Sequence, residues 1–123
     1  PLFVIDPMFF ERSGAARLVF LLRNLHELNK SMDGTLVVRT GNPVDVVAAV
    51  AGEVGATQVF AAKDFAPYGQ SRDAQVDAAL RTVGAELCSV GSAYAVNPGV
   101  VSKADNTPYA VFTPFSKIWL SQG

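Results

Sequence analysis

Apolar residues change their spacing repeatedly along this chain, and each change marks an element. Leu2-Phe3-Val4-Ile5 is a short unbroken apolar run closed by Asp6-Pro7, as suits a strand covered on both faces. Between residues 14 and 32 the spacing becomes three and four. Leu18, Leu21, Leu22, Leu25, Leu28 and Met32 share one side, and Arg17, Arg23, Asn24, Glu27 and Lys30 the other. That is an amphipathic helix, with Ser13 as its expected N-cap and Asp33-Gly34 as its stop. Thr35 to Arg39 reads as the next strand. Thr40-Gly41-Asn42-Pro43 turns the chain into a second helix, with Asn42 at the N-cap and Pro43 at the first helical position. Val44, Val47, Ala48, Val50, Ala51 and Val54 form its apolar face, and Gly55 ends it.

Thr57 to Ala62 is a third strand and Lys63 to Ser71 a loop. Arg72 to Val83 is a third helix, with Val76, Ala79, Leu80 and Val83 inward and Gly84 as its cap. Ala85 to Val90 is a fourth strand. Beyond it the pattern breaks at Pro98-Gly99 and Asn106-Thr107-Pro108, and Phe115 to Leu120 starts a further helix with Thr113 as its expected cap. Strands alternating with helices predict an α/β fold: a doubly wound, Rossmann-like parallel sheet with helices on both faces.

Composition narrows the function. The chain of 123 residues is one domain, half hydrophobic and 17% charged, with a formal net charge of -1. That charge gives little counterion-release drive, so strong DNA binding by this chain alone is not expected. One cysteine, Cys88, excludes an intrachain disulfide and favours a reducing, cytoplasmic setting; within its apolar strand the thiol is expected to be buried and inert. No apolar run is long enough to span a bilayer and no signal-peptide pattern opens the chain, so no membrane partner is expected. The single histidine, His26, lies mid-helix facing solvent, which leaves neither a Cys/His metal site nor a histidine-based triad. No catalytic and no metal-ligating residue is identified.

Ligands of an open parallel sheet bind beyond the C-terminal ends of its strands. Those ends are Asp6-Pro7, Thr40-Gly41-Asn42, Lys63-Asp64-Phe65 and Gly91-Ser92. Asp6 either accepts hydrogen bonds from a ligand or caps the turn before Pro7, and the two roles are compatible. Thr40-Gly41-Asn42-Pro43 has one glycine and no phosphate-loop pattern; a capped helix start explains it. The segment from Lys63 to Asp73 brings Asp64, Tyr68, Arg72 and Asp73 to the same edge, with Arg72 and Asp73 also readable as a helix opening. Trp119, Phe112 and Phe115 are read as an aromatic cluster for core or interdomain packing.

Taken in order, several stretches resemble the N-terminal domain of DNA photolyases and cryptochromes. They are Leu2-Phe3-Val4-Ile5-Asp6-Pro7, the helix from Arg17 to Leu25, Leu36-Val37-Val38-Arg39-Thr40-Gly41-Asn42-Pro43, the loop from Asp64 to Asp73, and Pro108 to Trp119. The Tyr-x-x-x-Arg-Asp loop and the Pro-Tyr-x-Val-Phe-Thr-Pro-Phe run carry most of the specificity. The resemblance implies one domain over residues 1–123, cut short at both ends, with 109–123 starting the linker or helix toward an absent C-terminal helical FAD-binding domain. It implies that the parent is a deoxyribodipyrimidine photo-lyase, a flavoprotein that repairs ultraviolet pyrimidine dimers in DNA with light, while this part alone is not an enzyme. The domain's own role in the family is to hold an antenna chromophore: a folate, a deazaflavin or FMN. By that resemblance Phe3, Asp6, Arg17, Asp64 and Tyr68 are the chromophore-binding residues, and the family's second acidic loop residue is replaced by Ala66. The family also opens with a Trp-Phe-Arg-x-Asp-Leu-Arg-like strand, central in the sheet, which is missing here; self-association of the chain is therefore an expectation. The alternatives are a cryptochrome-like blue-light signalling fragment and an unrelated Rossmann-like nucleotide-binding module.

Overall fold

The computed structural model describes residues 1–122; Gly123, the end of the expected 109–123 segment, lies outside the described residues. The order is β1 (Leu2–Ile5), α1 (Pro7–Phe10), α2 (Ala15–Ser31), β2 (Val37–Thr40), α3 (Pro43–Val54), β3 (Gln58–Lys63), α4 (Pro67–Thr82), β4 (Glu86–Ser92) and α5 (Phe112–Leu120). All strand pairs are parallel, as the alternation of strand and helix requires: β1 with β2, and β3 with β4. The two pairs are not hydrogen-bonded to each other, so the sheet is two halves. The chain steps from β1 outward to β2, then back across the gap to β3 and on to β4. Right-handed crossovers therefore put α2 on one face and α3 and α4 on the other, the doubly wound arrangement.

Packing is concentrated in one half. Ala51 of α3, Val76 and Leu80 of α4, and Ala85 before β4 form the buried cluster, with Val44, Val47, Ala56, Val59 and Leu87 packed against it. In the other half Leu25 alone of α2's apolar residues is buried, while Leu22 and Leu28 on the same stripe stay exposed. Val83, expected to face inward, is 44% exposed because it sits past the last turn of α4, where Gly84 already turns the chain with φ +79.

Several boundaries differ from the sequence expectation, each for a local reason. Ser13 does not cap α2; its hydroxyl donates back to the Phe9 carbonyl, and Gly14 takes the N-cap without a side-chain bond. β2 begins at Val37, not Thr35, because the Thr35 hydroxyl and the Leu36 N–H are both tied to the end of α2, at Met32 O and Asn29 Oδ1. α4 starts at Pro67, five residues before the expected Arg72, so most of the predicted loop is helix. Thr113 is not the cap of α5, whose N-cap is Val111. Among the described residues Phe112, Phe115 and Trp119 make no ring pair, and Phe112 is 76% exposed. Cys88 is half-buried, not buried; desolvation first, then the charge of Glu86, pushes its thiol up, away from the reactive thiolate. No helix among the described residues is long and apolar enough to cross a membrane.

Candidate functional site

Two short devices bring the C-terminal ends of β1 and β3 together. Asp6 ends β1 with extended backbone, and its Oδ1 accepts the Met8 N–H at 2.9 Å, which starts α1 with Pro7 at the first helical position. Its other oxygen is free of the cap. Oδ2 accepts the Tyr68 hydroxyl at 2.7 Å, from the first turn of α4. The Asp6 side chain thus caps the turn, one of the two roles its sequence position allowed, while its second oxygen accepts from Tyr68. The bond crosses the gap between the two half-sheets and joins residues 62 positions apart.

Around that bond the polar groups form one chain. Arg72, one turn along α4, lies 5.8 Å from the Tyr68 ring centroid and pairs with Asp73 at 2.7 Å and Asp64 at 3.5 Å. Asp64 also accepts at 2.9 Å from the N–H of Ala66, the N-cap of α4, a backbone donor with no partner inside the helix. On the other side Phe9 meets Tyr68 edge to face, at 4.8 Å between centroids and 88° between planes.

Three cavities open around these residues. A slot of about 840 Å³ runs between the half-sheets and ends at Asp6, Tyr68, Arg72 and Asp73. A pocket of about 400 Å³ sits above the strand ends, lined by Asp6, Met8, Asn42, Tyr68, Ser71 and Arg72. A third, about 460 Å³, lies between β1 and α2, with Phe3, Phe9, Arg17 and Leu21 among its lining. Of the expected site residues, Asp6 and Tyr68 meet at the strand ends and Asp64 joins them through Arg72. Phe3 and Arg17 share the third cavity with Asp6, and Phe3 also lines the slot. Arg72, Asn42 and Ser71 complete the strand-end pocket without standing in the expected set. Arg72 was legible at this sheet edge and as a helix opening, and Asn42 as a strand end and an N-cap, but neither was named as a chromophore-binding residue; Ser71 was read only as the end of the loop.

The Tyr68 phenol is pushed above its ordinary value by donating to Asp6, by partial burial and by the nearby Asp6 charge, while Arg72 pulls the other way. A raised folded value favours the protonated phenol. Its contribution to stability is complete below about pH 10, the unfolded value, and is lost as pH rises through the folded one. We expect Asp6→Asn to bring the Tyr68 titration down toward the ordinary value. Tyrosinate absorbance against pH measures this; an unchanged titration in the variant counts against the Asp6–Tyr68 bond.

The sequence matches the family model for DNA photolyase over residues 1–123. It is 29% identical over 126 residues to a deoxyribodipyrimidine photo-lyase of Synechococcus sp., covering 98% of this chain and 26% of the relative. A deoxyribodipyrimidine photo-lyase of Halobacterium salinarum is 30% identical over 120 residues, 95% of this chain and 25% of the relative. Cryptochrome-2 of Gallus gallus is 32% identical over 91 residues, 70% of this chain and 16% of the relative. The chain spans about a quarter of the length of the two photo-lyases.

Proposed function

The chain belongs to the DNA photolyase family, and on that premise we propose that it is the N-terminal, antenna-binding domain of a deoxyribodipyrimidine photo-lyase. The observation that carries this reading is the Asp6–Tyr68 bond, which sets a carboxylate, a phenol and the Arg72 guanidinium around one pocket at the strand ends. The donor set fits a planar, polar-edged chromophore. Asp6 accepts from ring N–H or hydroxyl groups, while Arg72, Ser71 and Asn42 offer donors to carbonyl or phosphate oxygens. Asp64 holds Arg72 in place, Phe9 steadies the Tyr68 ring, and Phe3 and Arg17 flank the site from the β1–α2 side. A bound antenna, whether folate, deazaflavin or FMN, supplies light absorption and passes excitation to FAD in a C-terminal helical domain. Nothing in that role needs an acid, base or nucleophile from this chain. It needs a rigid pocket, and the Asp6 bridge between half-sheets provides rigidity. Repair of ultraviolet-damaged DNA, and contact with it, then belong to the longer protein. The stretch 109–123 leads toward the FAD domain, and a cytoplasmic setting accords with a half-buried, unpaired cysteine.

The test is an absorption spectrum of the purified longer protein supplied in turn with each antenna class. We expect a near-ultraviolet or violet band beside the flavin band. Asp6→Ala should lower antenna occupancy at least tenfold while the flavin band stays. Full occupancy in Asp6→Ala, or no antenna uptake by a flavin-loaded protein, would sink the proposal.

A further inference from the structure

Among the described residues β4 is paired on one side only, with β3. The Glu86 N–H donates to Thr57 O of β3. Backbone groups alternate sides along a strand, so those of Glu86 and Cys88 face β3 and those of Leu87 and Ser89 face outward. An open edge of this kind is a template for another strand. One of its two outward donors is covered from α4. Asp77 Oδ1 accepts the Leu87 N–H at 3.1 Å, ten positions on in the chain. Asp77 Oδ2 is anchored one helical turn on by Arg81, through Nε and Nη2, both at 3.0 Å. The bond from Leu87 first, then that from Arg81, holds the Asp77 carboxyl below its ordinary range, so the cover stays ionised. Ser89, two residues further, is exposed.

We propose that the outer edge of β4 is a self-pairing surface that Asp77 holds shut, and that the partner it fits is β4 of a second copy, antiparallel about a twofold axis at Cys88. Leu87 and Ser89 flank Cys88 symmetrically. Each copy therefore offers Leu87 to Ser89 of the other, and two hydrogen-bonded pairs form around one non-bonded pair. Both bonded pairs need a Leu87 N–H, and Asp77 occupies it in each copy. Pairing also brings the two Asp77 carboxylates to one seam, where like charges oppose association. The open face of the strands favours the joined sheet once the cover is gone, since Phe60 and Val90 stand exposed beside Cys88.

The single cysteine makes the pairing readable. Facing residues of a non-bonded antiparallel pair have Cα atoms about 4.5 Å apart, within disulfide range. The chain and its Asp77→Ala, Asp77→Ser and Asp77→Asn variants are oxidised with diamide, and cross-linked dimer is followed. Each rate is divided by the iodoacetamide alkylation rate of the same variant, because the Asp77 charge also acts on the Cys88 thiol. Ser89 amide exchange is followed without oxidant over a concentration series. Alanine is a better helix former than aspartate, and Asp77 is only half-buried, so Asp77→Ala should fold; the serine variant, whose hydroxyl stops short of the Leu87 N–H, is the second route. Both should cross-link at least tenfold faster than the unaltered chain, and their Ser89 exchange should slow at least tenfold as concentration rises. Asp77→Asn keeps an acceptor for Leu87 and should stay within threefold of the unaltered chain. Ser89→Pro added to Asp77→Ala removes an outward donor without touching the β3 side, and should abolish both effects. A folded Asp77→Ala or Asp77→Ser chain that stays monomeric with unchanged Ser89 exchange overturns the proposal. So does a dimer that survives Ser89→Pro or forms equally in Asp77→Asn.

Discussion

Replacing Leu80 by alanine should lower the unfolding free energy by about 2–5 kcal/mol, the largest loss expected of any single truncation in this chain. Among the described residues Leu80 is the one large side chain with no solvent exposure, and its buried neighbours are Ala51, Val76 and Ala85. Two of those three are alanines, with no length to swing into the space a leucine leaves. The cavity therefore stays open, and its cost adds to the lost transfer energy. The loss matters more here than in a thicker domain, because so few residues are buried and small domains are stable by only about 5–15 kcal/mol. Val83→Ala is the natural comparison, since it removes apolar atoms three residues further on, at the C-cap of the same helix. At 44% exposure it should change stability by about 0.5 kcal/mol or less. Urea unfolding followed by helical circular dichroism separates the two. Equal midpoint shifts would mean that α4 does not pack through Leu80.

What the sequence made legible was local. Asn42-Pro43 and Gly55 bound α3 because both signals act within a residue or two: a side-chain bond to Val44 N at 3.0 Å and a left-handed C-cap at φ 64. The same signal at Asp6-Pro7 was read as a turn, since Met8-Phe9-Phe10 is too short to show a helical period. The start of α4 was missed for the opposite reason. Pro67 supplies the dihedral of a first helical residue, but Ala66 cannot cap and Tyr-Gly-Gln-Ser carries no apolar spacing. Asp64 instead takes the Ala66 N–H two residues on, in an Asx turn just ahead of the helix. The site itself is non-local. Asp6, Asp64 and Tyr68 were expected on one sheet edge, but no periodicity says that Asp6 bonds Tyr68 across 62 residues or that Phe9 stacks there. The strand missing from the family pattern was read as central in the sheet; that the four strands form two separate pairs became visible only with the register of both.

Gly69→Ala should destabilise the chain by about 1–3 kcal/mol, against the direction that helix propensity alone predicts. Inside a helix, alanine is favoured over glycine by about 1 kcal/mol. Gly69 sits in the first turn of α4 without a positive φ, so the backbone accepts a side chain there. The space does not. Gly69 is buried, and a Cβ built on it lands inside the Asp64 carboxylate. Asp64 is a short side chain fixed on both sides, by Ala66 N–H at 2.9 Å and by Arg72 at 3.5 Å. Moving it removes the acceptor of the Ala66 N–H ahead of α4 and one of the two carboxylates that hold Arg72, and overpacking of this kind outweighs the propensity gain. The sign becomes testable in a double-mutant cycle with Asp64→Gly, because the three atoms nearest the added methyl group are all of the Asp64 side chain, its Cβ included. Without that side chain the clash is gone, and the same substitution should turn neutral or stabilising by up to about 1 kcal/mol. Additive effects in the cycle would refute the close approach. In the longer protein the single variant should also weaken antenna binding, because Arg72 lines the strand-end pocket and loses its second support. The double variant, having lost the same support, should recover stability without recovering the antenna band.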